Sequence, residues 1–552
     1  MQIKMSMKYI FSICLLTAVL LFGFGNNNNS LNPLFLVKQD SLDKNNISAA
    51  IWNDGVFNQE IRTNNTPGFE WPKGSGKFAV FTTGFNIAGY VNNQLRMASA
   101  WYAGEYEPGF CVNGIFHTNN NFKIYKITRG DSRISNPDWD NWQFMVPYGA
   151  PFKDVNGNGI YEPSIDTPGV KNAAQTIFIC LTDADPSSHS SSYGFGGGTT
   201  PMGAEVHFTA WCYDNPGYND MQFFKWEVIN KNSLSWDSTL YSIVSDPDLG
   251  DYTDDYIGSD SLRSLEYTYN SDNQDGDGTG RTYGANPPAI GMMFLNCNSP
   301  NARIVCCTYI SKYQPVCEGE PQSPQMAYYY MKGFKNDGTQ FVVPGTNPPR
   351  TSKFTFSGDP ETQTGWTELT GRIDNCGGSL TGNLIAPFPP GDRRNLMTMK
   401  YLNQRMNPGD TQVVQIAQLI ARGTNNLNSV TKLKQLADAA KQLCENNFII
   451  GITSISTEIP KSFELSQNYP NPFNPVTKIR FEVPLTKGDL GGFVTLSVYN
   501  AIGQEITTLV NEQLKPGIYS IDWNAANYPS GIYFYNLKSG NFSETKKLVL
   551  LK

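Results

Sequence analysis

Apolar and polar residues alternate with a period of two in many short stretches of this chain. Near its end, Val494-Thr-Leu-Ser-Val-Tyr499 and Ile518-Tyr-Ser-Ile-Asp-Trp523 show the pattern cleanly. Successive side chains of a strand point to opposite faces, so each stretch predicts a strand with one face buried. Lys77-Phe-Ala-Val-Phe81, Ala204-Glu-Val-His-Phe-Thr-Ala-Trp211, Phe223-Phe-Lys-Trp-Glu-Val-Ile229 and Thr411-Gln-Val-Val-Gln-Ile-Ala-Gln-Leu-Ile420 are further predicted strands, rich in β-branched and aromatic residues. One segment changes period. Val430, Leu433, Leu436, Ala437, Ala440, Leu443 and Cys444 recur at three- and four-residue steps, predicting a helix near residues 429–445, capped by Ser429 and packed on a sheet. The expected fold class is mainly β: a large sandwich-type body with one packed helix, followed by a small immunoglobulin-like antiparallel β-sandwich.

Composition supports this reading. Gly (50) and Pro (34) are abundant and only 16% of residues are charged, as suits short strands joined by turns. At 552 residues the chain exceeds what a single core sustains, so more than one domain is expected. Lys4 and Lys8, the apolar run Ile10 to Phe24, and Gly23 and Gly25 before a polar tract have the anatomy of a signal peptide, with cleavage expected after Gly25. The expected organisation is 1–25 signal peptide, 26–452 β-rich body of one or two lobes, 453–462 linker and 463–552 C-terminal domain. A net charge of -7 without a Lys/Arg block argues against a nucleic-acid partner, which would require a basic surface facing the phosphates.

Nine cysteines follow the leader. Cys297, Cys306, Cys307, Cys317 and Cys376 are expected to supply one or two disulfides in an oxidising compartment. Cys180, Cys212 and Cys444, each in apolar sequence, are expected as buried free thiols.

Asn468-Tyr-Pro-Asn-Pro-Phe-Asn-Pro475, Val498-Tyr-Asn-Ala-Ile-Gly-Gln504, Ser530-Gly-Ile-Tyr533 and the basic end Lys546 to Lys552 resemble the type A sorting domain of the type IX secretion system. That resemblance implies an exported passenger, secreted or held at the outer cell surface. Its partner would be the secretion machinery at the outer membrane, with removal of the domain and attachment to surface lipopolysaccharide, or release, to follow. Asn92-Asn-Gln-Leu-Arg96, Asp246-Pro-Asp-Leu-Gly-Asp-Tyr-Thr-Asp-Asp255, Ser357-Gly-Asp-Pro360 and Ala421-Arg-Gly423 resemble a broad group of passengers carrying this sorting domain. This second resemblance implies no mechanism.

The sharpest local signal in the passenger is Asp154-Val-Asn-Gly-Asn-Gly-Ile-Tyr-Glu-Pro-Ser-Ile-Asp166. Side-chain oxygens at positions one, three and five, Gly at six, a carbonyl at seven and a later carboxylate match the first part of a calcium loop. The expected ligands of Ca2+ are Asp154, Asn156, Asn158, the carbonyl of Ile160, and Glu162 or Asp166. Ile165 stands where an EF-hand has Glu and Pro163 blocks the following helix, so binding would be weak and would staple a loop. The competing reading is a set of Asx turns needing no metal. Asp246, Asp248, Asp251, Asp254, Asp255 and Asp260 form a second acidic cluster, read equally as a metal site or a solvated loop. Asp272, Asp275 and Asp277 read as flexible loop.

Catalytic signatures are absent from the sequence. His117, His189 and His207 belong to no HExxH, there is no GxSxG, and Gly74-Ser-Gly-Lys77 lacks the rest of a phosphate loop. The leading expectation is a non-enzymatic, calcium-stabilised binding or structural passenger with an extracellular glycan or protein ligand. A polysaccharide-degrading glycoside hydrolase is the first alternative, because two facing carboxylates leave no local signature. Trp101, Tyr102, Trp139, Trp142 and Trp366 would be its sugar platform, with core packing the more common fate of such residues. A subunit of an extracellular layer or filament is the second alternative.

Overall fold

The computed structural model describes residues 37–551 apart from 61–65, 192–194, 298, 313–315, 446–447, 449–451, 457–458, 486–491 and 526–527. The expected signal peptide lies outside the described residues. The protein is mostly β, as the alternating pattern predicted.

Two large antiparallel sheets make up the passenger. The first runs Ala302–Ser311, Arg393–Tyr401, Trp236–Asp246, Thr82–Val91, Val56–Phe57, Ser48–Trp52, Phe69–Glu70, Phe78–Val80. The second runs Glu107–Pro108, Gln175–Thr182, Ala204–Cys212, Met221–Asn230, Thr411–Ala421, Ala289–Phe294, Leu265–Asn270, Asp255–Asp260. Their facing sides share one core. Phe85, Ile87, Ile243 and Met397 of the first sheet meet Ile179, Val206, Phe224 and Trp226 of the second. The Phe85 and Trp226 rings stack across the interface with centroids 4.6 Å apart.

The predicted strands 204–211, 223–229 and 411–420 coincide with central members of the second sheet and 77–81 with the end strand of the first, yet Ala204–Cys212 is buried on both faces. The reason is a further layer. The helix Asn426–Glu445 lays Val430, Leu433, Ala437, Ala440 and Leu443 over Trp211, Phe223, Tyr267 and Met293 on the outer face. It starts three residues before the predicted position. Asn425 Oδ1 accepts from Asn428 N (2.7 Å) and caps it. Ser429 instead lies inside, its hydroxyl donating to Pro287 O (2.8 Å). On the outer face of the first sheet, the helix Pro324–Met331 and the segment up to Phe388 pack Tyr328, Met331, Phe356 and Trp366 against Leu240, Val244 and Leu396.

Cys317 is bonded to Cys376, within the group expected to pair. Cys444 is not a free thiol: the end of the long helix brings it to Cys297, with Cα atoms 5.9 Å apart, and the two are bonded. Helical periodicity placed Cys444 on the buried face but carried no information about what lay opposite. Cys111, Cys180, Cys212, Cys306 and Cys307 are buried and free.

The C-terminal region folds as two four-stranded antiparallel sheets around its own core, which includes Phe473, Phe481, Leu496, Trp523, Tyr535 and Leu548. The stretch expected as linker begins as a strand of this region. Ile452–Ser456 pairs antiparallel with Gly517–Asn524 at the edge of one sheet.

Candidate functional site

Phe152–Lys153 and Thr167–Pro168 form a short antiparallel ladder that closes the loop 154–166. Gly157 and Gly159 both adopt φ of +74°, which lets the chain turn back on Asp154. Asp154 Oδ2 accepts from Gly159 N (2.7 Å), and Oδ1 accepts from Gly157 N (2.7 Å) and Asn158 N (3.3 Å). These N–H groups, that of Gly159 foremost, hold its carboxyl below the usual carboxylate range. Asn156 Nδ2 and Asn158 Nδ2 both donate to Glu162 Oε2, at 2.6 and 2.7 Å. Asn158 Oδ1 accepts from Ile160 N (2.8 Å). Asp166 is buried beneath, where its two oxygens accept from Val155 N (2.9 Å) and Glu162 N (2.7 Å). The loop thus brings Asn156 and Asn158 onto Glu162 at its exposed rim, Asp154 ties the backbone of the turn, Ile160 donates within it, and Asp166 pins its base.

The second acidic run does not form one cluster. Asp260 pairs with Arg263 (2.8 Å), Asp254 accepts from Asn270 Nδ2 (2.7 Å), and buried Asp255 accepts from Leu249 N (3.1 Å). Asp246, at the end of its strand, meets Arg394, whose Nη1 lies 2.7 Å from Asp246 Oδ1 and also against Asp392. The Tyr102 hydroxyl donates to Asp246 Oδ2 (2.9 Å) and accepts from Arg394 Nη2 (3.0 Å). Oxygens of Asp246, Asp248 and Asp392 lie within 4.8 Å of one another. Burial pushes Asp246 up to about 6, against the pull of Arg394, and burial with the charges of Asp246 and Asp392 pushes Asp248 up to about 8. Asp246 and Arg394 are 4% and 1% exposed respectively, so they form a buried ion network rather than two acids facing each other across an open cleft. Asp275, expected in flexible loop, is buried and accepts from Asp251 N (2.8 Å) and Tyr283 N.

Histidine–carboxylate pairs escaped the sequence reading because their members are distant or their spacing matches no motif. His189 Nε2 bonds Asp183 O (2.8 Å), while Nδ1 lies 3.3 Å from Glu105 Oε2. Burial pushes both Glu105 and Asp183 above the usual carboxylate range, against the opposing effect of His189. His207 Nε2 bonds Glu205 Oε1 (3.0 Å) two residues earlier on the same strand face. Among the expected platform residues, Trp101, Trp142 and Trp366 are buried in cores and Tyr102 belongs to the ion network. Trp139 is half-buried and lines a groove.

The motifs of the C-terminal region divide between core and surface. Asn468 N donates to the Tyr535 hydroxyl (2.8 Å), Asn468 Nδ2 donates to Thr477 Oγ1 (2.8 Å), and Phe473 packs on Trp523 with ring centroids 5.5 Å apart. Tyr469 and Ile502 project outward, 81% and 86% exposed.

Residues 467–551 match the secretion system C-terminal sorting domain family. No curated relative matches the chain. Similarity to solved structures is slight. A polysaccharide lyase is 6% identical with a TM-score of 0.15, covering 95% of this chain, which spans 47% of the lyase. The adhesin domain of Epf from Streptococcus pyogenes is 8% identical, TM-score 0.12, covering 64% of this chain and 92% of the adhesin. PorZ, a surface component of the type IX secretion system of Porphyromonas gingivalis, is 9% identical, TM-score 0.13, covering 92% of this chain and 74% of PorZ. Overlaps at these scores carry no argument about fold or activity. The sorting domain does: the chain is a type IX secretion passenger, destined for the cell surface or the medium.

Proposed function

We propose that the passenger is a non-enzymatic binding or structural module of the cell exterior, with its 154–166 loop stapled by calcium. The observation that supports the calcium reading is the meeting of Asn156 and Asn158 at Glu162 on one exposed rim, in the same loop that the Asp154 carboxylate turns back on itself. The donor set is all oxygen, as a hard cation requires. Asp154 and Glu162 supply the charge. The two amides, which give their N–H groups to Glu162, would turn their oxygens inward when the ion binds. Two carboxylates place the affinity at the weak extracellular end, about 10⁻⁴ to 10⁻³ M. Asp166 keeps its backbone bonds and anchors the loop. On the C-terminal side, two four-stranded sheets around one core support an immunoglobulin-like address domain read by the secretion machinery, with lipopolysaccharide attachment or release to follow.

Thermal unfolding of the mature chain, followed across a calcium titration with chelator as the reference, tests the staple. The melting temperature rises through millimolar calcium, because an ion held only by the native state stabilises it by mass action. Asp154→Ala abolishes the rise. An unchanged melting temperature up to 10 times the expected ~10⁻³ M dissociation constant removes the metal from the proposal.

A further inference from the structure

Nine of the ten tryptophans lie buried in the hydrophobic cores. The tenth, Trp139, belongs to none of them, and no aromatic ring stacks on it among the described residues. It is nonetheless held in place. Trp139 Nε1 donates to Pro163 O (2.9 Å) and the Tyr161 hydroxyl donates to Trp139 O (2.7 Å), so both ends of the residue are tied to the 154–166 loop. The indole N–H is thereby spent inside the protein while the ring lines a groove of about 290 Å³. A large aromatic surface held by hydrogen bonds at both ends but left outside the core is what a binding platform requires.

The groove also has a charge. Arg129, Lys153 and Lys171 line it against Asp131, and with Asp214 pairing Arg129 one positive charge is left in excess, in a chain whose net charge is -7. Asp131 Oδ2 is occupied by Thr128 N and Asn136 Nδ2, each at 2.8 Å. Arg129 is paired with Asp214 (2.8 Å) and Lys171 donates to Asn511 O (3.4 Å). Lys153 is exposed and has no ion pair among the described residues. It sits on the ladder that closes the loop, one residue before Asp154.

We infer that this groove binds an anionic sugar unit of an acidic polysaccharide. The ring of Trp139 takes the apolar face of the pyranose, and Lys153 with its cationic neighbours takes the carboxylate or sulfate. The volume lies at the small end of ligand sites and suits one or two sugar rings. The inference rests on reading the passenger as a binding module and names the ligand class. It also couples the groove to the loop, since Pro163 and Tyr161 orient the platform.

The test is isothermal titration calorimetry of the mature chain with a galacturonate tetramer, a sulfated glucose tetramer and a neutral glucose tetramer, each with calcium and with chelator. Either or both anionic oligomers bind, the source of the negative charge being read from which does, and the neutral one binds at least about tenfold more weakly, a difference of about 1.4 kcal/mol. Trp139→Ala and Lys153→Glu each weaken the anionic binding by a similar factor. Lys153→Glu leaves the melting temperature unchanged, which separates loss of binding from loss of fold. Failure of both anionic oligomers to bind, equal binding of the neutral one, or wild-type affinity in Lys153→Glu overturns the inference. Anionic binding without any calcium-dependent melting shift keeps the groove and discards the staple. A melting shift without binding keeps the staple and discards the groove.

Discussion

Glu266 provides a sharp test of the packing described above. It lies on the strand Leu265–Asn270, on the face shared with Thr268, whose hydroxyl accepts from Asn395 Nδ2 of the opposite sheet (2.9 Å). That places Glu266 between the two sheets. It is 2% exposed, and neither carboxylate oxygen has a hydrogen-bond partner among the described residues. Burial alone drives its carboxyl well above the usual range, because desolvation favours the neutral acid in the fold. The unfolded chain releases that proton above pH ~4.5. A folded pKa raised above the unfolded one means that stability falls as pH rises from the unfolded value towards the folded one, by about 1.4 kcal/mol per pH unit. Glu266→Gln keeps the shape and cannot ionise. Its stability relative to wild type therefore grows as the pH rises from the unfolded value towards the folded one, at no more than about 1.4 kcal/mol per pH unit, other titrations cancelling in the difference. Urea unfolding of both proteins at pH 5, 6 and 7, followed by tryptophan fluorescence, measures it. Glu266→Met, which removes the unpaired group, is more stable than wild type by about 1–3 kcal/mol at pH 5. A Gln-minus-Glu difference that stays constant with pH would refute the reasoning, because it would mean that Glu266 is charged in the fold.

Two further outcomes follow from the ion network and the disulfides. Asp246→Asn lowers stability by about 1–3 kcal/mol in denaturant titrations, less than the 3–5 kcal/mol of an isolated buried pair because Asp392 and Glu320 still face Arg394. Replacing Cys297 and Cys444 by Ser removes a closure of 147 residues and costs about 4–5 kcal/mol by chain entropy, read as a fall in melting temperature smaller than the one reductant causes in the wild type, where Cys317–Cys376 opens as well.

What the sequence disclosed follows the range of the interactions. The 154–166 loop was legible as a run of turns because its residues lie within 13 positions and glycine and asparagine specify such turns locally. The helix was legible from its stripe, but its cap was not. Ser429 and Asn425 are both good capping types, and only the position of Pro287, which captures the Ser429 hydroxyl, decides between them. The ion network was illegible. Tyr102 meets Asp246 across 144 positions and Arg394 meets Tyr102 across 292, and no local pattern marks a residue for a partner so far away. Aromatic residues are expected in cores, so which tryptophan remains outside emerges only after the others are packed.

The boundary between passenger and sorting domain shows the same limit from the other side. The stretch after the long helix was read as linker because it has little amphipathic pattern. An edge strand needs little, since its ladder is made by backbone groups and any residue with an N–H can join it. Ile452–Ser456 pairs with Ile518 to Ile521 in this way. A cut after Ser456 would therefore sever the covalent link yet leave a passenger strand bonded into the sorting domain's sheet. Parting the two then requires that ladder to open, and backbone pairing at an exposed edge is the kind of contact that local opening releases first. The address is built on a core of its own, and the strand that ties it to the passenger lies at the edge of that core's sheet, where a ladder opens at least cost.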